Sequence, residues 1–186
     1  MTEHVRAAAI EDVAFGSREI TLIAVPYNQE AVIADWGGEA HRERFLPGAF
    51  SGLESRTKQI TLNRDHNRER AIGVATRFDT KSERGLISTM KVSDTPLGME
   101  SRQLAAAGVR RASVAVSAKS QDMTVKDGLR TIYRAFLLHV ALTPEPAYEG
   151  AEVLDVRTGR PFEDSPTPNL DIAAAILREI RAGRVA

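Results

Sequence analysis

The sequence predicts a β-rich α+β domain, and two features of the chain lead to that prediction. Several short apolar runs, separated by turn-forming residues, are typical of antiparallel strands. Only two segments show the apolar spacing and the terminal residues of helices. The chain has 186 residues, of which 42% are hydrophobic, so it can form a single domain with a substantial core.

The predicted strands follow one another along most of the segment between residues 5 and 156. A polar stretch that ends at Gly85 separates two of them and predicts a hairpin. Within the run 109–118, alternation predicts that Ser113 and Ser117 share one face while Val114 lies on the other. The predicted strands are residues 19–25, 58–62, 72–78, 86–92, 109–118, 129–135, 136–143 and 151–156, of which 129–135 and 136–143 are either two strands or one bent strand.

Two helices are predicted from their ends and their apolar spacing. Thr95 and Pro96 have the character of an N-cap followed by a first helical proline, and Gly108 ends that run. The second helix, over about residues 169–182, carries an apolar stripe at helical spacing.

Three prolines in residues 157–168 indicate a linker before the second helix. The predicted organisation is therefore a domain over residues 1–156, a Pro-rich linker over 157–168 and a C-terminal amphipathic helix within 169–186.

Charge and composition argue against several classes of protein. Lys plus Arg equals Asp plus Glu, at 25 each, so the basic excess of a typical nucleic-acid binder is missing. The absence of cysteine excludes disulfides, thiolate catalysis and cysteine-based zinc sites. No apolar stretch approaches the length of a membrane span and no secretory leader is visible, so we expect no membrane partner.

Three short segments each put one reactive side chain beside a β-type apolar run. An imidazole, a hydroxyl and an orienting group are the parts needed to activate a serine nucleophile. The segments are residues 64–67 with His66, residues 112–116 with Ser113 and residues 138–142 with His139.

Each of these residues also has an ordinary structural interpretation. Ser113 could make an unremarkable hydrogen bond on a strand, and Ser117 shares its predicted face. His66 could be a solvated loop residue, since it lies in a highly charged run. His139 could be a core histidine on an apolar strand. Asp65 and Glu145 are alternative orienting groups, although Asp65 is adjacent to His66 and adjacent strand residues point to opposite faces.

Further motifs accompany these segments in a defined order, over about residues 5–156. The whole series resembles the tailed-phage prohead maturation proteases, serine endopeptidases whose fold is similar to that of herpesvirus assemblin. The further motifs are residues 20–28, Pro47-Gly48-Ala49-Phe50 with the preceding residues 43–46, the Ile72-Gly73 step, the Gly85-Leu86 region and residues 146–153.

The resemblance implies a mostly antiparallel, β-barrel-like sheet flanked by helices. It implies Ser113 as nucleophile, His66 as general base and His139 as the third member. The commonest phage pattern has a carboxylate at this last point, whereas the herpesvirus relatives carry a histidine. A neutral imidazole stabilises an imidazolium less than a carboxylate does, so we predict a slow protease. By the same analogy, the backbone N–H groups of Ala147 and Tyr148 are expected to bind the oxyanion.

The implied function is cleavage of the scaffolding segment of the major capsid protein inside the immature capsid, in the bacterial host cytoplasm. The protease would also cleave itself, and the linker is the expected site because proteases attack exposed, extended chain. No metal or other cofactor is implied, and the herpesvirus relatives suggest a homo-oligomer. The alternative is a non-catalytic assembly or scaffolding module that retains the fold. A nucleic-acid-binding β-barrel is disfavoured by the zero net charge and the scarce aromatics.

Overall fold

Two β-sheets and one α-helix make up the described part of the chain, which in this computed structural model comprises residues 18–34, 40–55 and 60–157. The helix, α1, is Pro96–Ala106, and two short 3-10 turns are Leu53–Ser55 and Ser120–Asp122. The strands are β1 (Glu19–Pro26), β2 (Ala31–Ala34), β3 (Ala40–Phe45), β4 (Thr61–Arg64), β5 (Asn67–Asp79), β6 (Gly85–Val92), β7 (Arg111–Ser117), β8 (Met123–Lys126), β9 (Leu129–Ile132), β10 (Phe136–Thr143) and β11 (Val153–Val156).

Seven strands form the larger sheet, in the order β11-β1-β6-β5-β4-β10-β7, and β2-β3-β9-β8 form the smaller one. The larger sheet curls into a half-barrel, which brings β1 close to β7 although four strands separate them in the hydrogen-bonded order. Its pairs are antiparallel except for β4 with β10. Strand β10 therefore lies between a parallel neighbour, β4, and an antiparallel neighbour, β7.

The core is built from apolar side chains of both sheets and of the turn after β3. In that turn Gly48 has φ +88°, a left-handed conformation that suits glycine, and Phe50 is 2% exposed. The Phe50 ring lies 5.4 Å from the ring of Phe45, centroid to centroid. The Pro-Gly-Ala-Phe motif is thus a tight turn that inserts an aromatic side chain into the core.

Helix α1 has the ends that the sequence predicts. The side chain of Thr95 accepts a hydrogen bond from the backbone N–H of Gly98 at 3.2 Å, and Pro96 is the first helical residue. Gly108 follows the helix with φ +72°. Ser101 and Ala105 are buried, so this face of the helix packs against the domain.

Eight predicted strands correspond to β1, β4–β7 and β9–β11, whereas β2, β3 and β8 were not predicted. Strand β3 has the sequence Ala-His-Arg-Glu-Arg-Phe, which is too highly charged to be recognised as a strand. Glu43 and Phe45 nevertheless face inward. The expectation of several flanking helices was too high for the described residues, which contain one α-helix. The linker beyond Arg157 and the C-terminal helix lie outside the described residues, and the likeness to the assemblin fold stays a prediction.

Among the helices of the described ranges, none is long and apolar enough to cross a membrane.

We predict that Gly73→Ala will strongly destabilise the domain. A Cβ atom at Gly73 would lie 2.3 Å from the backbone oxygen of Lys91 on the paired strand, so the β5–β6 ladder would have to move. Loss of about 2 kcal/mol or more in the free energy of unfolding is expected from urea denaturation.

Gly128→Asn is the control for this prediction. Gly128 has φ +74° and no atom within 4 Å of a built Cβ, and asparagine tolerates this conformation. Equal stability of the two variants would contradict the close approach at Gly73.

Candidate active site

A β-bulge in β10 determines which face His139 occupies. Leu137 pairs with Val116 and His139 pairs with Ala115, so Leu138 is an extra residue without a partner on β7. If Leu138 occupied a regular ladder position and no bulge were present, strict alternation from the buried Leu137 would direct His139 into the same core. The bulge reverses the phase, so Leu137 and Val140 both join the core and His139 turns to the opposite face.

Ser113 lies on that opposite face, one strand away. It pairs with Ala141, while His139 pairs with Ala115, two residues farther along β7. Residues two apart on a strand point to the same face, so the register brings Ser113 and His139 to one side of the sheet. The β7–β10 ladder therefore sets the distance between them.

His66 reaches this face from the tight turn between β4 and β5. Asp65 and His66 are the two central residues of the turn, with φ +55° and +58°. Two consecutive positive φ values are typical of a two-residue hairpin loop, and aspartate and histidine are among the residues that adopt them more readily. Because β4 pairs directly with β10, the turn carries the His66 ring to the neighbourhood of His139.

Two hydrogen bonds connect the three side chains that the sequence analysis singled out. The His66 Nε2 atom lies 2.9 Å from Ser113 Oγ, and His66 Nδ1 lies 3.0 Å from His139 Nε2. The two imidazole rings are 5.2 Å apart, centroid to centroid, and tilted by 58°. The structure thus joins Ser113, His66 and His139 in one continuous chain of hydrogen bonds.

Burial favours the neutral form of both histidines. It lowers the pKa of His66 below the ordinary value of 6.5, and the negative charge of Asp65 opposes part of that effect. Burial also lowers the pKa of His139, which is 6% exposed, and the neighbouring His66 and Arg68 act in the same direction. At neutral pH both rings are therefore uncharged, and one nitrogen of each can accept a proton.

The three side chains line a cavity of about 1090 Å³ between the two sheets. Its walls include apolar side chains of β7, β8 and β9, among them Val116, Met123 and Ile132. Glu43 from β3 also lines the cavity. The site can therefore accommodate an extended ligand with apolar side chains beside the Ser113 hydroxyl.

Ala147 and Tyr148, the predicted oxyanion residues, lie on the wall of the same cavity. The Tyr148 hydroxyl donates a hydrogen bond to the buried Glu43 carboxylate at 3.0 Å, and its ring packs 6.0 Å from Phe45. Burial, together with the Glu43 charge, raises the pKa of Tyr148 well above its ordinary value. This residue therefore ties the loop after β10 to the smaller sheet.

The alternative orienting groups have other contacts. The Asp65 carboxylate accepts a hydrogen bond from Arg110, and Glu145 is exposed, with its backbone N–H donating to Thr143. Ser117 lines the cavity, but the hydroxyl that bonds His66 belongs to Ser113.

Sequence reasoning gave no role to Glu43, Arg110 or the bulge residue Leu138. The alternation of Glu43 with the apolar Phe45 was the one available sign that Glu43 faces inward.

No three potential metal ligands of the His, Asp or Glu type converge among residues 18–34, 40–55 and 60–157.

Comparison with known proteins defines the family. Residues 20–164 match the model of the caudovirus prohead serine protease family, which covers more than half of the chain. The protein therefore belongs to the caudovirus prohead serine proteases, as the resemblance in the sequence indicated. Membership establishes a serine protease with a role in phage capsid maturation. No individually curated protein matches the chain.

We predict that Tyr148→Phe will lower the free energy of unfolding by about 2 kcal/mol, because it removes a hydrogen bond to a buried carboxylate. Urea denaturation with two-state analysis measures the change.

Tyr133→Phe is the matched control. The Tyr133 hydroxyl lies 2.7 Å from Thr124 Oγ1, but Tyr133 is 45% exposed. Its removal should change stability by less than about 0.5 kcal/mol. The same small effect in both variants would show that the Glu43 contact contributes no special stability.

Proposed function

We propose that the protein is a serine endopeptidase in which Ser113 is the nucleophile, His66 the general base and His139 the residue that orients His66. The observation that supports this assignment is the chain of hydrogen bonds from Ser113 Oγ through both nitrogens of His66 to His139 Nε2. A nucleophile within reach of a base, and a base held by a third group, is the recurring arrangement of covalent hydrolases.

In the resting site the Ser113 hydroxyl donates to His66 Nε2, and the His66 Nδ1–H donates to His139 Nε2. As Ser113 Oγ attacks the scissile carbonyl carbon, its proton moves to His66 Nε2. The imidazolium then gives this proton to the leaving amine nitrogen, the C–N bond breaks and an acyl-enzyme remains. In the second half of the reaction, His66 takes a proton from water and the resulting hydroxide adds to the acyl carbon. The ester bond to Ser113 Oγ then breaks, His66 returns its proton to this oxygen, and the carboxylic acid is released.

The tetrahedral intermediates carry negative charge on the former carbonyl oxygen. We assign the backbone N–H groups of Ala147 and Tyr148 to this charge, because the loop that carries them lines the same cavity as Ser113. The Tyr148–Glu43 hydrogen bond holds this loop in place without using its backbone donors.

The neutral third member makes the reaction slow. A carboxylate beside His66 would stabilise the imidazolium by direct charge attraction, whereas His139 offers only a neutral acceptor. A slow rate suffices for an enzyme that makes one cleavage in each capsid subunit.

The substrate is the scaffolding segment of the major capsid protein, cleaved inside the prohead within the host cell. The enzyme also cleaves its own chain, in the Pro-rich stretch after residue 157. Strand β7 is the last strand of the larger sheet, and within the described residues it pairs only with β10. Its outer edge can therefore accept an extended substrate segment as an added strand beside Ser113.

The test is co-expression with the major capsid protein encoded beside this gene, with intact-mass readout of both chains. The wild type should shorten the capsid protein and itself, and Ser113→Ala should leave both at full length. Ser117→Ala is the matched control, since Ser117 lies on the same strand and lines the same cavity. Cleavage that persists in Ser113→Ala would overturn the assignment of the nucleophile.

The same experiment tests the second candidate function, a non-catalytic assembly module. The observation that favours this candidate is the neutral His139 at the point where a carboxylate is commonest. An assembly module would leave the capsid protein intact with both the wild type and Ser113→Ala, while particle formation would depend on the presence of the protein.

The pH dependence of the reaction tests the roles of His66 and His139. His66 acts as a base only when it is neutral, so the rate should fall as the pH drops through its pKa. Because burial lowers this pKa, the acid limb of kcat/KM should lie below pH 6.5. His139→Glu puts a carboxylate next to His66 Nδ1 and should move the acid limb upward by about one unit or more.

His139→Gln is the control, because it offers a neutral acceptor of similar length. Its acid limb should stay near that of the wild type. An unchanged acid limb in the glutamate variant would mean that residue 139 does not contact the base.

A further inference from the structure

The tip of the β4–β5 hairpin has a backbone conformation that residues other than glycine adopt less often. Asp65 and His66 both have left-handed φ values, and neither is glycine. Such a turn keeps one conformation only where surrounding contacts hold it. The position of the His66 ring therefore depends on the contacts that other segments make with the turn.

Three hydrogen bonds among Asp65, Arg110 and Leu142 hold the turn in place. The backbone N–H of Asp65 donates to the carbonyl oxygen of Leu142 at 3.1 Å. Arg110 Nη1 donates to the same carbonyl oxygen at 3.1 Å and also to the Asp65 carboxylate. The Arg110 side chain is only 11% exposed, so its guanidinium is held between these partners.

This cluster joins the three segments that carry the site. Asp65 is adjacent to His66, Arg110 precedes Ser113 by three residues, and Leu142 follows His139 by three. Movement of any one segment relative to the others would break at least one of the three hydrogen bonds.

We propose that Asp65 and Arg110 are positioning residues that hold the His66 ring between Ser113 and His139. Their hydrogen bonds run to each other and to Leu142, and not to Ser113 or the His66 ring. The inference rests on the proposed function of His66, and it adds the contacts that hold the turn carrying this residue. Removal of either partner should leave the turn in several conformations, only some of which keep both hydrogen bonds of His66.

The other ion pairs of the turn cannot replace this contact. Arg64 Nε and Arg70 Nη1 lie 3.8 and 4.0 Å from Asp65, too far for hydrogen bonds. Arg64 directs its Nη2 to Glu100 on α1 instead, at 2.9 Å. At these distances neither arginine fixes the direction of the carboxylate, so the orientation of Asp65 depends on Arg110.

The contact between Asp65 and Arg110 also affects the pKa of His66. Asp65 raises the pKa of His66 against the effect of burial, and Arg110 neutralises part of the Asp65 charge. Asp65→Asn should therefore move the acid limb of the rate to lower pH, and Arg110→Gln should move it to higher pH. The other groups that surround His66 remain the same in both variants; they are Arg64, Arg68, Arg70 and His139.

The experiment measures cleavage of recombinant major capsid protein by the full-length chain, over a range of pH. Asparagine tolerates the left-handed turn, so Asp65→Asn tests the contact and not the backbone. Each single variant should lower kcat at least about fivefold with KM changed less than about twofold, since misplaced groups lose rate before binding. The double variant should be no slower than the slower single variant, because both remove the same contact.

Asp155→Asn is the matched control. It removes the exposed Asp155–Arg157 ion pair of 3.0 Å on β11, away from the hairpin, and should keep wild-type kinetics. Arg110→Lys replaces Arg110→Gln if the glutamine variant does not fold. Lysine keeps the positive charge but lacks the planar guanidinium that bonds both the Asp65 carboxylate and the Leu142 carbonyl oxygen. The kcat of the lysine variant should fall without the upward shift of the acid limb.

Wild-type kcat and unshifted acid limbs in the Asp65 and Arg110 variants would overturn the proposal that these residues position His66. An inactive Ser113→Ala in the same assay would show that the proposed function survives that result. Cleavage by Ser113→Ala would instead overturn the proposed function itself. A fall in melting temperature with unchanged kcat at low temperature would assign Asp65 and Arg110 to stability alone.

Discussion

The site depends on the backbone ladder that joins β4, β10 and β7. Strand β10 bonds to β4 on one side and to β7 on the other, so the three segments that bear the hydrogen-bonded side chains have one common register. Ladder hydrogen bonds fix relative positions much better than long side chains do. A serine and two histidines that span 73 residues of sequence are therefore linked by hydrogen bonds of 2.9 and 3.0 Å, both made by His66.

Burial provides the electrostatic condition of the site. Both histidines have lowered pKa values because the surroundings disfavour the charged form, and each ring would repel a proton on the other. A proton on one ring therefore disfavours a second proton on the other, and at neutral pH both rings are uncharged.

The sequence was sufficient where a local signal determines the structure. Thr95, Pro96 and Gly108 marked the ends of α1, and most strands were visible as apolar runs. Strands β2, β3 and β8 were not predicted, because they depend on pairing within the smaller sheet and not on their own composition. Long-range pairing of this kind has no signature in a short window of sequence.

For the site, the three reactive residues could be named from motifs, but not the contacts behind them. Arg110 lies 45 residues from Asp65, and nothing near either residue predicts that they meet. The resemblance to a family supplied their proposed roles, because a lone serine or histidine on a strand has many ordinary explanations. The geometry adds what the resemblance lacks, namely the register, the turn and the buried anchor of Tyr148.

The bulge at Leu138 has a consequence for how this family can diverge. Because the bulge takes Leu138 out of the ladder, deletion of that residue would leave a regular strand with His139 on the same face. A deletion between His139 and Leu142 would instead shift the histidine by one position relative to Ser113 and turn it toward the core. Substitutions leave the count from His139 to Leu142 unchanged, so side chains there can vary while the spacing cannot. Among active relatives the bulge residue can therefore be lost, whereas the spacing from His139 to Leu142 should stay constant.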